Sequence, residues 1–288
     1  MARDGLLAVG VFMLLALSPA VAETGSDAWW WDNAWWSEGI LHADVSNHRV
    51  AVERIHYEHD GIEIPAVVMR PEGAGNYPAI LWVHGRRGLD ALAEGHVRRL
   101  AARGFVVLAP DLFSGRFIPE MPIEHDYVLE EDLNAGLDVL LARSDIIGEQ
   151  ACTVSITRGG YYALKLATTH RRQNNGLACW VGYYPHVQDP NAPEAMQVYR
   201  YANEFNDLQV PVLILVGEEE QYQRLRTIRM ATEGLRQRNG EVRLIEYPGV
   251  GRGFDFRNGS SRTFADDLAS RDAMLRTSSF LNSILEHK

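Results

Sequence analysis

The stretch CTVSITRGGYYALKLATT, residues 152–169, decides the fold class of this chain. Its first part, Cys152–Ile156, is a short apolar run of the kind that forms a buried strand. Its last part, Tyr161–Thr169, has the pattern of a helix. The four residues from Thr157 to Gly160 lie between them and leave room only for a tight turn. A strand that passes directly into a helix in this way is typical of an α/β protein.

The same alternation of strand and helix patterns extends along the chain from about residue 50. Val50–Tyr57 and Ile62–Met69, separated by His59-Asp60-Gly61, indicate a β-hairpin. Further buried strands are predicted at Ala79–Val83, Phe105–Ala109, Leu177–Val181, Val212–Val216 and Val242–Glu246. Apolar residues at helical spacing predict four further helices. The first has Leu92, Val97, Leu100 and Ala101 on one side; the second has Leu129, Leu133, Leu137, Leu140 and Leu141; the third has Leu225, Ile228, Ala231 and Leu235; and the last covers residues 263–285. We therefore predict a single α/β domain at residues 50–288, with a mostly parallel central sheet flanked by helices on both faces.

Composition and charge restrict the function classes. Of the 288 residues, 46% are hydrophobic and 23% charged, which is typical of a globular protein. The net charge of −10 argues against a nucleic-acid partner, because such binding depends on Lys and Arg neutralising phosphates. No grouping of His, Cys, Asp and Glu has metal-ligand spacing, so we expect neither a metal nor another cofactor.

The first 49 residues have the composition of a targeting segment followed by an extension. Residues 1–22 combine Arg3, an apolar run of about a dozen residues and the site Ala20-Val21-Ala22, which predicts a signal peptide cleaved near Ala22 and export to the periplasm or the medium. A membrane anchor needs about 20 apolar residues, and no later segment is long enough to span a bilayer. Residues 23–49 hold five of the seven Trp residues. This Trp-rich extension is either a clasp that packs on the domain or a surface for a glycan, a membrane or a protein partner.

Export raises the question whether the two cysteines form a disulfide. Cys152 and Cys179 each lie inside an apolar, β-rich run. If these runs are neighbouring parallel strands, the two side chains lie level with each other. An oxidising compartment then permits a disulfide, and two buried free thiols are the alternative.

Candidate site residues come from the segments that follow the strands. In a sheet of this kind, ligands bind beyond the carboxyl ends of the strands, where residues 84–88, 110–113, 155–160, 217–220 and 249–254 are expected. Residues 155–160 have the context of a nucleophile elbow, in which one side chain is held exposed and glycines two and three residues later let the helix pack closely. That spacing makes Thr157 the elbow residue and puts the backbone N–H of Arg158 at the oxyanion position.

The set of motifs resembles the dienelactone hydrolase family of the α/β-hydrolase superfamily over about residues 50–286. The motifs are HGRRGL after the third strand, APDLF after the fourth, an elbow that ends in Gly-Gly, a Gly-x-x-acid segment after a later strand, and YPGVGRGFDF before the last helix. Their order and spacing carry the resemblance together. It implies an α/β-hydrolase fold and the hydrolysis of small esters and lactones by a triad of Cys (sometimes Ser), Asp and His, without a cofactor.

The chain departs from this family at all three triad positions. The resemblance places Thr157 at the nucleophile, Glu220 at the Asp and Arg252 at the His. Glu keeps the carboxylate, whereas the stiff, β-branched hydroxyl of Thr157 needs a general base to become a nucleophile. Arg252 removes that base, because a guanidinium keeps its proton at any useful pH. We expect a Glu220–Arg252 ion pair that stabilises the site without doing chemistry.

Two hypotheses follow for the function. The favoured one is an exported, non-hydrolytic protein whose former active site binds a small molecule or a protein partner. The other is an active carboxylic-ester or lactone hydrolase with an unusual site, built from His125 or His186. His84 also lies near this edge, but a His at a strand end is more often structural, and Ser155 precedes the turn and should point along the strand.

Arginines near the elbow define the expected ligand. Arg86, Arg87, Arg158 and Arg252 lie in loops that meet at one edge of the sheet, beside a helix N-terminus. Arg holds carboxylate or phosphate groups with paired hydrogen bonds, so Arg86, Arg87, Arg158 and His84 are the candidate binding residues for a small anion, such as a carboxylate or a phosphate, or for an ester. In the alternative, these arginines are solvated or are paired with acidic residues of the same loops, namely Asp111, Glu218, Glu219 and Glu220.

Overall fold

The computed structural model describes residues 47–257 and 261–285. Its strands are β1 (Val50–His59), β2 (Ile62–Pro71), β3 (Tyr77–Val83), β4 (Val106–Pro110), β5 (Ile146–Ile156), β6 (Leu177–Tyr183), β7 (Val212–Gly217) and β8 (Val242–Tyr247). Its α-helices are α1 (Ala91–Ala101), α2 (Val128–Leu141), α3 (Gly159–Thr168), α4 (Glu194–Tyr199), α5 (Tyr222–Gln237) and α6 (Phe264–Leu285). Short 3₁₀ helices lie at Ser114–Arg116, Arg172–Asn174, Asn203–Asp207 and Phe254–Phe256.

All these strands form one sheet in the order β1-β2-β4-β3-β5-β6-β7-β8. The pairs β1–β2 and β2–β4 are antiparallel, and every other neighbouring pair is parallel. The predicted hairpin turns at Asp60 and Gly61, whose φ angles of 52° and 72° are those of a tight hairpin turn. The mostly parallel sheet predicted from the sequence is confirmed.

The central part of the sheet is covered on both faces, which explains why β3, β4, β6 and β7 are apolar without interruption. Along β3, Ile80 and Trp82 belong to one buried cluster, and Ala79, Leu81 and Val83 belong to the other. The first cluster also contains side chains of α1, α5 and α6, and the second contains those of α2. The predicted layers of helices on the two faces are therefore confirmed.

The prediction for α1 was wrong at one residue. Leu92 is 36% exposed, whereas Ala93 is buried together with Val97 and Leu100. The carboxylate of Asp90 accepts a hydrogen bond of 2.9 Å from Ala93 N, so the helix begins at this cap. One helical position is a rotation of about 100°, and this rotation turns Ala93 to the core and Leu92 to solvent.

Cys152 and Cys179 form a disulfide between neighbouring strands. They face each other in the parallel pairing of β5 and β6, with their Cα atoms 4.7 Å apart. The two strands are therefore neighbours, and their register brings the two side chains level with each other. Of the two alternatives, a disulfide and two free thiols, the structure shows the disulfide.

The N-terminal predictions concern residues that are largely outside the described ranges. The proposed signal peptide, residues 1–22, and residues 23–46 of the Trp-rich extension lie there. Among the described helices, none combines the length and the apolar character needed to cross a membrane.

Candidate functional site

Thr157 occupies a sharp turn between β5 and α3. Its φ angle is +44°, a region that β-branched residues rarely adopt. Three backbone hydrogen bonds hold this conformation: Thr157 N donates to Tyr183 O at 3.2 Å, and Thr157 O accepts from Gly160 N at 3.0 Å and from His186 N at 2.7 Å. A side chain presented on a strained strand-to-helix turn is the geometry of a nucleophile elbow.

The two glycines after the turn allow α3 to approach the sheet closely. A Cβ atom on Gly159 would lie 2.4 Å from Val83 O, and one on Gly160 would lie 2.5 Å from the Cβ of Pro185. Both distances are shorter than real Cβ contacts, so any side chain here would push the helix away. The reason given from the sequence for the Gly-Gly pair is thus confirmed.

Arg158 is the N-cap of α3, so its backbone N–H lies at the helix N-terminus, as expected. Within the described part of the chain it makes no hydrogen bond to a backbone or side-chain acceptor. An N–H group at a helix N-terminus, directly after the elbow residue, is a donor for an oxygen that carries negative charge.

Glu220 and Arg252 form the ion pair predicted from the sequence. The Nε atom of Arg252 donates to both carboxylate oxygens of Glu220, at 3.1 and 3.0 Å, and its Nη2 atom also donates to Glu220 Oε1. Glu220 is buried, and its Oε1 also accepts from Gln221 N at 2.7 Å. Such a bidentate pair fixes Arg252 and leaves no carboxylate oxygen of Glu220 without a donor.

A cavity of about 280 Å³ lies beside the elbow, and we call it the elbow cavity. Its apolar lining includes Met121, Ile156, Tyr184 and Phe256. Its polar lining includes Thr157, His186, Arg86, Arg87, Arg224 and Arg252. The cavity therefore combines apolar surface with a concentration of guanidinium groups.

His186 lies inside this concentration of positive charge. Burial lowers the pKa of its ring well below the ordinary value of 6.5, and the nearby guanidinium groups of Arg224, Arg158, Arg252 and Arg86 lower it further. The ring is therefore neutral at neutral pH. Taking up a proton, as a general base must, would add a further positive charge to the site.

The arginines around His186 differ in their partners. Arg252 is paired with Glu220, and Arg87 at the cavity edge is paired with Asp90. By contrast, Arg86 donates to the carbonyl oxygen of Met121 at 2.7 Å.

Arg158 and Arg224 likewise donate only to neutral groups. Arg158 donates to the carbonyl oxygens of Ile123 and Glu124, at 3.1 and 3.4 Å. Arg224 donates to Gln221 Oε1 at 3.3 Å, and burial together with the neighbouring Arg252 lowers its pKa to about 10. Within the described ranges, no carboxylate lies at ion-pair distance from Arg86, Arg158 or Arg224.

The alternative in which acidic residues neutralise the arginines therefore applies only to part of the site. Of the four acidic residues considered, Glu220 alone pairs with one of them. Asp111 instead accepts hydrogen bonds from Phe113 N and from the backbone and hydroxyl of Ser114, and Glu218 accepts from Gly249 N.

His84 lies beneath the site and does not line the elbow cavity, contrary to the expectation that it binds a ligand. It is fully buried, its Nδ1 donates to Gly85 O at 2.7 Å, and its Nε2 accepts from Leu112 N at 3.1 Å. Both ring nitrogens are occupied, so His84 has a structural role.

The other side chains considered as substitutes are also engaged elsewhere. His125 is buried against Tyr162, and its Nε2 lies 2.7 Å from Glu130 Oε1. Ser155 is buried within β5, and its hydroxyl oxygen accepts a hydrogen bond of 2.7 Å from Trp180 Nε1. Neither residue lines the elbow cavity.

Arg224 is the functional candidate that sequence reasoning missed. It lies in the first turn of α5, a helix recognised only by its apolar face. The available signal was its position, four residues after Glu220 in the segment that follows β7. The first turn of a helix that follows a strand lies at the same edge of the sheet as the loop between them.

Comparison with known proteins identifies the class. The model of the dienelactone hydrolase family matches residues 64–285, so the chain belongs to this family. It is 29% identical to a chlorophyllase type 0 of Chenopodium album over 189 residues, which are 59% of this chain and 52% of the relative, so it spans about half the length of that protein. It is 24% identical to a putative carboxymethylenebutenolidase of Salmonella typhimurium over 225 residues, covering 72% of this chain and 80% of the relative.

Solved structures show the same fold. A putative dienelactone hydrolase from Klebsiella pneumoniae superposes with a TM-score of 0.64 at 22% identity, covering 81% of this chain and 99% of that one. A bacterial brefeldin A esterase superposes with a TM-score of 0.66 at 17% identity, covering 88% and 82% of the two chains. At these identities the likeness concerns the fold alone.

Proposed function

We propose that this chain is a non-hydrolytic member of the dienelactone hydrolase family, and that its elbow cavity binds a small organic carboxylate. Thr157, Glu220 and Arg252 are proposed to stand at the three triad positions of the family. The observation that carries the proposal is the set of three arginines, Arg86, Arg158 and Arg224, that reach the region around His186 without a carboxylate partner among the described residues.

Loss of hydrolysis is proposed because the site has no group suited to accept the proton of Thr157. Arg252 keeps its proton, and Glu220 is already occupied by Arg252. His186 is the remaining candidate, and the surrounding guanidinium groups oppose the imidazolium that a general base becomes. A threonine hydroxyl without a general base is a weak nucleophile.

The ligand class follows from charge and lining together. Five guanidinium groups surround the cavity, and carboxylates neutralise two of them, in the pairs Arg87–Asp90 and Arg252–Glu220. An anion placed among the remaining three lowers their mutual repulsion. The apolar lining residues, among them Met121, Ile156 and Phe256, suit a hydrocarbon group on the same ligand. A carboxylate with an apolar substituent fits both requirements, whereas a neutral ester meets only the second.

The test is calorimetric titration and thermal shift with hexanoate, and with hexanamide as its neutral counterpart. We expect hexanoate alone to bind, and a ligand at 100 times its dissociation constant to stabilise the fold by about 2.7 kcal/mol. Arg224→Gln should weaken hexanoate binding by about tenfold or more, because it removes a charged donor from a buried site. The matched control is Arg236→Gln, on the exposed side of α5. Equal binding of hexanoate and hexanamide, or no effect of Arg224→Gln, would contradict the proposal.

A hydrolase with an unusual site is the second candidate, and the strained turn at Thr157 with the free Arg158 N–H favours it. The assay is turnover of short-chain p-nitrophenyl esters and of lactones by the purified protein, for which we expect no saturable rate above the blank. Turnover that is lost in Thr157→Ala would overturn the non-hydrolytic proposal. Turnover that survives Thr157→Ala and is lost in His125→Ala or His186→Ala would point to a different catalytic site.

We also propose that the protein is exported and that residues 1–22 are removed as a signal peptide. The disulfide between Cys152 and Cys179 supports an oxidising compartment. Intact-mass measurement on protein recovered from the periplasm or the medium tests the cleavage. A mass that includes residues 1–22 in exported protein would contradict it.

The Trp-rich extension, residues 23–49, is proposed to pack on the domain as a clasp. Deletion of residues 23–36 should then lower the melting temperature, because burial of Trp side chains contributes several kcal/mol. An unchanged melting temperature together with lost binding to a glycan, a membrane or a protein partner would instead identify the extension as an interaction surface.

A further inference from the structure

A second cavity adjoins the elbow cavity and shares His186 and Arg224 with it. Its volume is about 450 Å³, and it lies between the loop that follows β6, the helix α4 and the first turn of α5. Its lining is rich in side-chain amides, contributed by Gln188, Gln197, Gln221 and Gln223, and we call it the glutamine cavity. The guanidinium group of Arg158 also lines it.

Gln188 has a fixed orientation in the wall of this cavity. The hydroxyl of Thr227 lies 3.0 Å from Gln223 O and 2.9 Å from Arg224 O, so its proton is used on backbone carbonyls. The same hydroxyl oxygen therefore accepts from Gln188 Nε2, at 2.7 Å. This bond determines which end of the amide is the nitrogen, and Gln188 Oε1 is the end left over.

Gln188 Oε1 is an acceptor without a donor. The side chain is 7% exposed, and Oε1 has no hydrogen-bond partner in the described part of the chain. A buried carbonyl oxygen that gives up water without gaining a donor is unfavourable, so such an atom in a cavity wall marks a place for a donor from outside the chain.

Gln197 presents a second amide in the same way. Its Nε2 donates to Pro190 O at 3.0 Å and to Ala192 O at 2.8 Å, which holds the amide nitrogen against the loop. Its Oε1 is therefore the acceptor end of a second amide that lines the cavity. The glutamine cavity thus offers amide acceptors, and its lining also includes the carboxylate of Glu194 and the guanidinium groups of Arg158 and Arg224.

We propose that the glutamine cavity is a second subsite, which takes an uncharged hydrogen-bond donor group, a hydroxyl or an amide N–H, on the same ligand whose carboxylate lies among the arginines. The carboxylate of Glu194 also lines the cavity, but the two guanidinium groups of Arg158 and Arg224 outnumber it, so the net charge of the lining opposes an ammonium group. The inference rests on the proposed function, since it places the carboxylate at the boundary shared by the two cavities.

The test compares three carboxylates by calorimetric titration of the full exported chain. D-gluconate supplies hydroxyl donors, N-acetylglycinate supplies an amide N–H, and hexanoate supplies neither. The variant is Gln188→Met, which keeps the length of the side chain and removes the acceptor. The matched control is Gln237→Met, an exposed glutamine on α5 that pairs with Glu233.

The expected result is selective. Gln188→Met should weaken gluconate or N-acetylglycinate binding by about fivefold, the effect of one neutral hydrogen bond, and should leave hexanoate binding unchanged. The probe that responds identifies hydroxyl or amide N–H as the donor. Should Gln188→Met fail to fold, Thr227→Val replaces it, because this change releases the Gln188 amide and should weaken the same probe.

Other outcomes separate the two proposals. If hexanoate binds and neither donor-bearing probe responds to Gln188→Met or Thr227→Val, the second subsite is refuted and the carboxylate site stands. If all three probes weaken equally in Gln188→Met, the variant has disturbed the arginines and the subsite is likewise refuted. If none of the carboxylates binds the unmodified protein, both proposals fail.

Discussion

The hydroxyl oxygen of Thr157 lies against Gly85, so close that a Cβ atom on Gly85 would be 2.0 Å from it. The two residues belong to different loops, one after β5 and one after β3, and they meet at the elbow cavity. The space that a side chain would need at Gly85 is thus already filled by Thr157.

This contact predicts a coupled pair of substitutions. Gly85→Ala should reduce the free energy of unfolding by about 1–3 kcal/mol, the usual cost of overpacking. The loss should be smaller by about 1 kcal/mol or more when Thr157→Ala is also present, because the second change removes the clashing oxygen. Urea denaturation of both single variants and of the double variant measures the coupling.

Gly95→Ala in α1 is the control for the glycine substitution, since a Cβ atom there has its nearest neighbour at 3.6 Å. It should be neutral or should stabilise the helix by about 0.5–1 kcal/mol. Purely additive effects at Gly85 and Thr157 would show that the contact is not made in solution.

Restoring a cysteine and a histidine should restore weak esterase activity. The double variant Thr157→Cys with Arg252→His supplies a thiol nucleophile and an imidazole base beside Glu220, and the Arg158 N–H is the proposed oxyanion donor. Hydrolysis of p-nitrophenyl acetate by the double variant should exceed that by Thr157→Cys alone. A silent double variant would mean that the cavity differs from a hydrolase site at more than the three positions proposed to match the family triad.

The disulfide should contribute substantially to stability. Closing a loop of 27 residues is expected to be worth about 3.5 kcal/mol in the free energy of unfolding. Comparison of the oxidised protein with the same protein reduced in the unfolded state and refolded under reductant measures this difference without any change of sequence. Two free thiols per chain in the denatured, unreduced protein would contradict the cross-link.

Asp255 predicts a dependence of stability on pH. It is buried beneath the elbow cavity, where Tyr184 donates to its Oδ1 at 2.6 Å and His96 Nε2 lies 3.6 Å from its Oδ2. Burial raises the pKa of its carboxyl from 3.8 to about 6. Between these two values the folded protein binds more protons than the unfolded chain does, so the Asp255 contribution to stability falls as the pH rises from about 4 to 6 and is constant above that.

The measurement is the difference in unfolding free energy between the unmodified protein and Asp255→Asn at several pH values. Because one pKa unit corresponds to about 1.4 kcal/mol, this difference should shift by about 2–3 kcal/mol against the unmodified protein between pH 4 and pH 7. A difference that does not change with pH would show that the Asp255 pKa is not raised.

The central strands β3, β4, β6 and β7 were predictable from the sequence because each is an unbroken apolar run, as required when both faces of a sheet are covered. The elbow was predictable for a different reason, since only glycine fits where α3 approaches Val83 and Pro185. The short helix α4 was not predicted, because none of its six residues is buried and no apolar period marks it.

The sequence allowed only those site residues to be predicted that lie in the loops after the strands. Glu220 and Arg252 could be paired because a resemblance placed them at neighbouring positions, whereas Arg224 lies on a helix that was recognised by its opposite, apolar face. His84 was misplaced for a related reason. The sequence places His84 correctly at the end of a strand. The direction of its ring, which turns inward to Leu112 N, depends on the packing of the folded chain and cannot be read from the sequence.

The pairing of β5 with β6 has a mechanical consequence for the cavities. Thr157 and His186 follow the carboxyl ends of these two strands, and the Cys152–Cys179 bond joins the same strands only a few residues below. The two strands beneath both cavities are therefore joined by a covalent bond, which opposes any increase in the distance between β5 and β6. The cavities can therefore adapt to ligands of different size only through α4, the first turn of α5 and the loop that carries Met121. Among relatives with the same disulfide, differences in ligand selectivity should arise from substitutions in these three segments.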